Sequence, residues 1–261
     1  MADHKFLNVK VDDGIAVVTL NNPPVNALNS GLLKELKALF ESWTGDRSIR
    51  AVVITGGGTN AFCAGADVNE LASLKPEQAG TIATLGHETF KTIEDFPRPV
   101  VAAVNNLCLG GGFELALACD FRFASDRARF GAPEVTLGLI PGWGGTQRLP
   151  RLVGPSRAKE IILTGQMINA PEANRIGLVN KVLPDGDEVR AAMDLAKRIA
   201  VKSAPIAVAT AKKLINDGLE TDLVSGLAME LEGSGTVAQT KDLVEGLTAF
   251  KEKRQPKFTG E

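Results

Sequence analysis

The stretch VVAAVNNLCLGGGFELALAC, residues 100–119, governs the reading of the rest of the chain. Val100 to Val104 have the length and β-branched content of a buried strand. The glycine triplet Gly110 to Gly112 turns the chain, and Gly111 to Cys119 reads as a helix. Its one charged residue, Glu114, falls in the first helical turn among Phe113, Leu115, Ala116, Leu117, Ala118 and Cys119. A carboxylate among apolar neighbours is costly unless it has hydrogen-bond partners or chemistry to perform. The blander reading is a helix-start carboxylate favoured by the dipole.

The same order of strand, Gly-rich turn and helix occurs upstream. Ala51 to Ile54 reads as a buried strand, Phe62-Cys63-Ala64-Gly65-Ala66-Asp67 as a turn, and Glu77 to Asp95 as a helix. Before it, Phe6 to Val11 and Ile15 to Leu20 flank Asp12-Asp13-Gly14, a hairpin signal. Asn29-Ser30 supplies an N-cap for a helix whose Leu32, Leu33, Leu36, Leu39 and Phe40 recur at helical spacing and which ends before Gly45. From about Asp187 the chain is rich in Ala, Lys, Leu and Glu and reads as successive helices. The expectation is an α/β core over residues 1–186 and a helical region over 187–261.

Composition narrows the function. The chain has 261 residues, 44% of them hydrophobic, enough to bury a full core. A net charge of -2 gives no electrostatic reason to expect nucleic acid or an anionic membrane as the main partner. No stretch approaches the roughly 20 apolar residues of a membrane span, and Met1-Ala2-Asp3-His4-Lys5 has no apolar core behind its charges, so a cytoplasmic protein is expected. Cys63, Cys108 and Cys119 are odd in number and read as reduced thiols. With only His4 and His87, zinc chemistry and a Ser-His triad are disfavoured; no metal site is expected, and His87 reads as an ordinary helix residue.

The chemistry then rests on glycines and carboxylates. Each of the first two turns can present free backbone N–H groups, and together they can hold an oxyanion; the alternative is that the glycines only permit tight turns. A second carboxylate, Glu134, stands among Phe130, Ala132, Leu137 and Ile140. Two carboxylates in apolar surroundings are what general acid–base chemistry needs, because burial and repulsion raise a pKa toward neutrality. A third Gly-rich turn, Pro141 to Leu149, lacks the ending of a P-loop, and no dinucleotide fingerprint follows the first strand.

Taken in order, Asn22 to Leu28, Phe62 to Asp67, Leu109 to Glu114, Pro133 to Gly145 and Ala170 to Val182 resemble the motifs of the crotonase, or enoyl-CoA hydratase/isomerase, family across essentially the whole chain. The resemblance implies a crotonase-like spiral of repeated ββα units with a C-terminal helical trimerisation region, in a homotrimer or a homohexamer built as a dimer of trimers. It implies Glu114 and Glu134 as catalytic carboxylates and the amides of Ala66 and Gly111 as the oxyanion hole. Ala27, Ala64, Asp67 and Val68 would line the path of the acyl-CoA, and Lys253 with Arg254 would lie near its phosphates, their alternative being a solvated helix end. No cofactor is implied, since coenzyme A is part of the substrate.

Retention of both carboxylates is similar to hydratases of the family, so hydration of a 2-enoyl thioester leads. The rivals are Δ3,Δ2-enoyl-CoA isomerisation, which needs one carboxylate, an RNA-binding or non-catalytic acyl-CoA-binding protein, and a dead scaffold. The first long helix offers only Lys34 and Lys37, balanced by Glu35 and Glu41, where RNA would need a basic stripe. Trp143 stands where the family often has a small residue; it either shortens the acyl pocket or packs the core.

Overall fold

The computed structural model describes residues 4–73 and 75–261, so Met1 to Asp3 of the opening segment lie outside it. The expected hairpin is β1 (Leu7–Asp12) and β2 (Ile15–Leu20), paired antiparallel. Asp13 and Gly14 take the positive φ values, 49° and 76°, that a two-residue hairpin turn requires. Helix α1 (Ser30–Trp43) is capped by the Asn29 side chain, which accepts from Leu32 N at 2.8 Å, and it buries the five apolar residues at helical spacing.

Next come β3 (Ala51–Gly56), β4 (Ala61–Cys63), α2 (Val68–Ser73) and α3 (Pro76–Glu94). They are followed by β5 (Val100–Val104), β6 (Leu107–Leu109) and α4 (Gly111–Leu117), then by β7 (Phe121–Ser125), β8 (Arg129–Gly131) and a 3-10 turn at Pro133–Leu137. Each of the three units gives one strand to each of two sheets. The first sheet runs β1-β2-β3-β5-β7-β10, with β10 at Lys181–Leu183. The second runs β4-β6-β8-β9, with β9 at Ile168–Asn169. From β2 to β10 the first sheet is parallel, and β4, β6 and β8 are parallel too. This is the predicted α/β repeat. Its register aligns Cys63 with Cys108, so the Gly-rich turns leaving β4 and β6 lie side by side.

The main core lies between the sheets and helices α1, α3 and α4, with Phe40, Phe62, Phe90, Phe96, Phe113 and Phe130 fully enclosed. After α5 (Gly145–Val153), α6 (Pro155–Thr164) and α7 (Ala170–Arg175), α8 (Glu188–Lys202) packs Ala192 and Ala196 on the other face of the first sheet, against Val53, Val101 and Phe123. Beyond it α9 (Pro205–Gly218), α10 (Leu223–Ala238) and α11 (Lys241–Lys251) leave Leu219, Leu223, Val224, Leu231 and Phe250 more than 70% exposed. Among the described residues no helix is long and apolar enough to cross a membrane.

Candidate active site

The two turns meet closely enough that side chains are excluded between them. A Cβ on Gly112 would sit 2.2 Å from the Cys63 carbonyl oxygen, and one on Gly65, whose φ is 95°, would sit 3.3 Å from the Leu109 oxygen and 3.7 Å from the Gly111 nitrogen. The Gly65 carbonyl accepts from Leu28 N at 2.8 Å and the Gly110 carbonyl from Glu114 N at 3.0 Å. In a trans peptide the following N–H points opposite its carbonyl, so these bonds orient the amides of Ala66 and Gly111. Neither amide donates to any of the described residues. Gly111 opens α4, where the first-turn amides have no helical partner.

Glu114 follows within the same helix turn and is 3% exposed. Its Oε1 accepts from Trp143 N at 2.8 Å and Gly145 N at 2.7 Å, while Oε2 accepts no hydrogen bond from the described residues. Burial pushes its pKa up to about 7; the two amides and the Arg148 charge pull the other way, and Glu134 adds repulsion. The costly carboxylate is thus partly compensated at the start of α5, a site the helix field favours.

Glu134, on the 3-10 turn, is placed differently. Both its oxygens are buried and neither has a hydrogen-bond partner among the described residues. Burial raises its pKa above the usual carboxylate range. A Cβ on Gly110 would meet its Oε1 at 3.1 Å and the Gly65 Cα at 3.5 Å, so Glu134 and both turns converge on Gly110. The expected apolar setting holds on one side only, because Phe130 and Ala132 are buried whereas Leu137 and Ile140 are 64% and 68% exposed.

Trp143 is buried and stacks edge-on against Phe90 at 5.8 Å. Its indole fills the space a Cβ would take on Gly111, 2.4 Å away, and on Gly86 of α3, also 2.4 Å away. The residue therefore packs the core, as one of the two readings expects, and also backs the Gly111 turn. Ala27 and Ala64 are half-buried along the first turn, with the Ala27 carbonyl bound by Asn22 Nδ2 and Ala64 N bound to Val25 O. Asp67 Oδ1 accepts from Asn69 N and Glu70 N and so caps α2, while Val68 is 60% exposed. Lys253 lies beyond α11, exposed and with φ 56°, and makes no hydrogen bond or ion pair to this cluster among the described residues; its neighbour Arg254 is engaged by Glu245 and Glu252.

Three contributors had no assigned role in the sequence reading. Asn26, 2% exposed and with φ 55°, donates to the Gly57 and Ala61 carbonyls and so fixes the approach to the first turn. Arg148 joins Glu94 and the Trp143 carbonyl beneath Glu114. Arg148 stands in the third Gly-rich turn, which was the only signal; Glu94 had none.

Two adjoining turns with outward amides, flanked by two carboxylates in a doubled parallel sheet, define the class: the chain belongs to the enoyl-CoA hydratase/isomerase family, whose model matches residues 10–261. It is 46% identical over 242 residues to the short-chain-enoyl-CoA hydratase of Clostridium acetobutylicum, covering 92% of each chain. It is also 44% identical to the crotonyl-CoA hydratase of Syntrophomonas wolfei, covering 95% of each. The crystal structure of an enoyl-CoA hydratase from Bacillus anthracis superposes with a TM-score of 0.96 at 44% identity, over 98% of this chain and 100% of that one.

Proposed function

We propose that this protein is an enoyl-CoA hydratase, a lyase that adds water reversibly and syn to a trans-2-enoyl-CoA, giving the 3-hydroxyacyl-CoA. The observation that carries the reading is the convergence of Glu114 and Glu134 on the turns whose amides, Ala66 and Gly111, have no partner among the described residues. Names of similar proteins support the same activity, two of them for short or crotonyl thioesters.

In this mechanism the thioester oxygen lies between the Ala66 and Gly111 amides, which stabilise the charge it gains as the enolate-like state forms. Glu114, held through Oε1, uses Oε2 to orient water and take its proton as the oxygen bonds to the β-carbon. Glu134 delivers a proton to the α-carbon. Its burial without a hydrogen-bond partner among the described residues supports this role, since the loss of solvent outweighs the pull of its own backbone amide and favours the protonated form. Of the two protons of the water consumed, one stays in the new 3-hydroxyl and the other passes to Glu114; the α-carbon takes the proton of Glu134, and transfer of a proton from Glu114 to Glu134 returns the pair to its starting state. The steps are proton transfers and one C–O bond formation with no net redox change, so the reaction calls for no cofactor beyond the coenzyme A of its substrate.

Ala27, Ala64, Asp67 and Val68 would border the acyl-CoA and Lys253 its phosphates. The exposed apolar side chains of α9, α10 and α11 support self-association of the 187–261 region, as a trimer or a pair of trimers. The three free, buried cysteines fit a reducing cytoplasm. Incubation with crotonyl-CoA tests the activity: 3-hydroxybutyryl-CoA as the product supports it. Turnover of a 3-enoyl thioester to the 2-enoyl isomer without hydration would replace it with the isomerase reading.

A further inference from the structure

We infer that Arg148, anchored by Glu94, is a positioning residue for Glu114, locking the loop whose amides grip that carboxylate. The inference rests on the hydratase reading for its kinetic test alone. Glu114 touches the loop at Trp143 N and Gly145 N. Between those amides lies the Trp143 carbonyl, and Arg148 Nη1 donates to it at 3.0 Å. The guanidinium lies across the face of Gly144, where φ is 114° and a Cβ would be 2.0 Å from Nη1. Arg148 therefore holds the peptide unit directly between the two amides that fix Glu114.

The other end of the guanidinium is anchored outside the loop. Nε and Nη2 donate to the two carboxylate oxygens of Glu94 at 2.9 and 2.8 Å, a fork that a single point charge cannot reproduce. Glu94 ends α3, and both side chains are largely shielded, at 16% and 31% exposure. Such a pair resists screening better than a surface ion pair. The line of contacts runs from α3 through Glu94, Arg148 and the Trp143 carbonyl to Glu114.

Charge reinforces the geometry. Arg148 favours the ionised form of Glu114, against burial and against Glu134 on the 3-10 turn. Around Arg148 stand Glu94 from α3, the neutral Cys119 thiol just past α4, and Lys212 of α9, which is bound to Asp120. Removing the Arg148 charge thus leaves Glu114 facing one carboxylate and no compensating cation on the loop.

The test compares wild type with Arg148→Gln, Arg148→Lys and Glu94→Gln. It reads the Glu114 carboxyl titration by 13C NMR, assigned with Glu114→Gln, together with kcat, KM and Tm. In Arg148→Gln the Glu114 titration moves upward and kcat falls on the order of tenfold to a hundredfold with KM held within about threefold. Arg148→Lys restores the titration more fully than kcat, because the charge returns without the fork. Glu94→Gln lowers kcat to a smaller extent without the upward titration, because Arg148 keeps its charge and loses its anchor, and it carries the test if Arg148→Gln does not fold. A folded Arg148→Gln with wild-type titration and kcat, or with a lowered Tm as its only change, overturns the inference. Absence of hydration by wild type would overturn the proposed function instead, and the titration would still decide this one.

Discussion

Every residue of α4, Gly111–Leu117, is buried, whereas no residue of the 3-10 turn Pro133–Leu137 is buried as a whole. The carboxylates they carry reverse that order of support. Glu114 is deeply enclosed yet gripped by two amides with Arg148 nearby, and Glu134 hides only its oxygens and has no donor among the described residues. Identical side chains are thereby given different acid–base characters by their surroundings. In the proposed reaction the supported carboxylate handles water and the bare one carries the proton to carbon.

Breaking the packing behind Glu114 has the largest expected effect on stability. Trp143→Ala removes the indole wedged against Phe90, Gly86 and Gly111, and should cost about 3–5 kcal/mol in chemical unfolding. In the enzyme that remains, kcat/KM should shift toward longer acyl chains relative to crotonyl-CoA. Unchanged stability would mean that the wedge does not support the turn.

The cost of enclosing Glu114 can be measured directly. Its pKa rises from 4.5 unfolded to about 7 folded, so the native state binds the extra proton between those values. Stability attached to this group is fully present below pH 4.5 and is lost as pH rises through 7, in total about 3 kcal/mol. Glu114→Gln should flatten that part of the stability-against-pH curve and exceed wild type in stability at pH 8. Identical curves for the two proteins would contradict the burial argument.

On the Glu134 side, Gly110→Ala forces a Cβ into a backbone at φ 53° and against Oε1 at 3.1 Å. A loss of about 1–3 kcal/mol in stability is expected, with kcat depressed while Glu114 titrates as before. The smallest effect falls on a residue beyond α11. Lys253→Ala should raise KM for the CoA thioester by up to about fivefold, fading as salt is added.

Much of this arrangement was legible in local pattern. The β1–β2 hairpin, the Asn29 cap of α1, the strand Val100–Val104 and the start of α4 at Gly111 follow from period, turn chemistry and capping. What was not legible depends on contacts between distant segments. The three-residue strands Ala61–Cys63 and Leu107–Leu109 are too short to carry a period, so the second sheet reads in sequence as parts of glycine turns. Helix α4 ends at Leu117, two residues before the expected Cys119, since Ala118 N already shares its bonds among earlier carbonyls. Glu94 and Arg148 lie 54 residues apart, and no local rule pairs them. The exposure of Leu137 and Ile140 likewise reflects where the 3-10 turn emerges from the core, which hydrophobicity alone does not state.

The central claim is that Glu114 and Glu134 divide the acid–base work of hydration. Its most direct test is the rate of crotonyl-CoA hydration, followed by loss of the conjugated thioester absorbance, for wild type, Glu114→Gln and Glu134→Gln with their folds confirmed. The account predicts rapid hydration by wild type and a fall on the order of 10²–10⁴-fold in kcat for each variant. A folded Glu134→Gln or Glu114→Gln that hydrates crotonyl-CoA at the wild-type rate would contradict it.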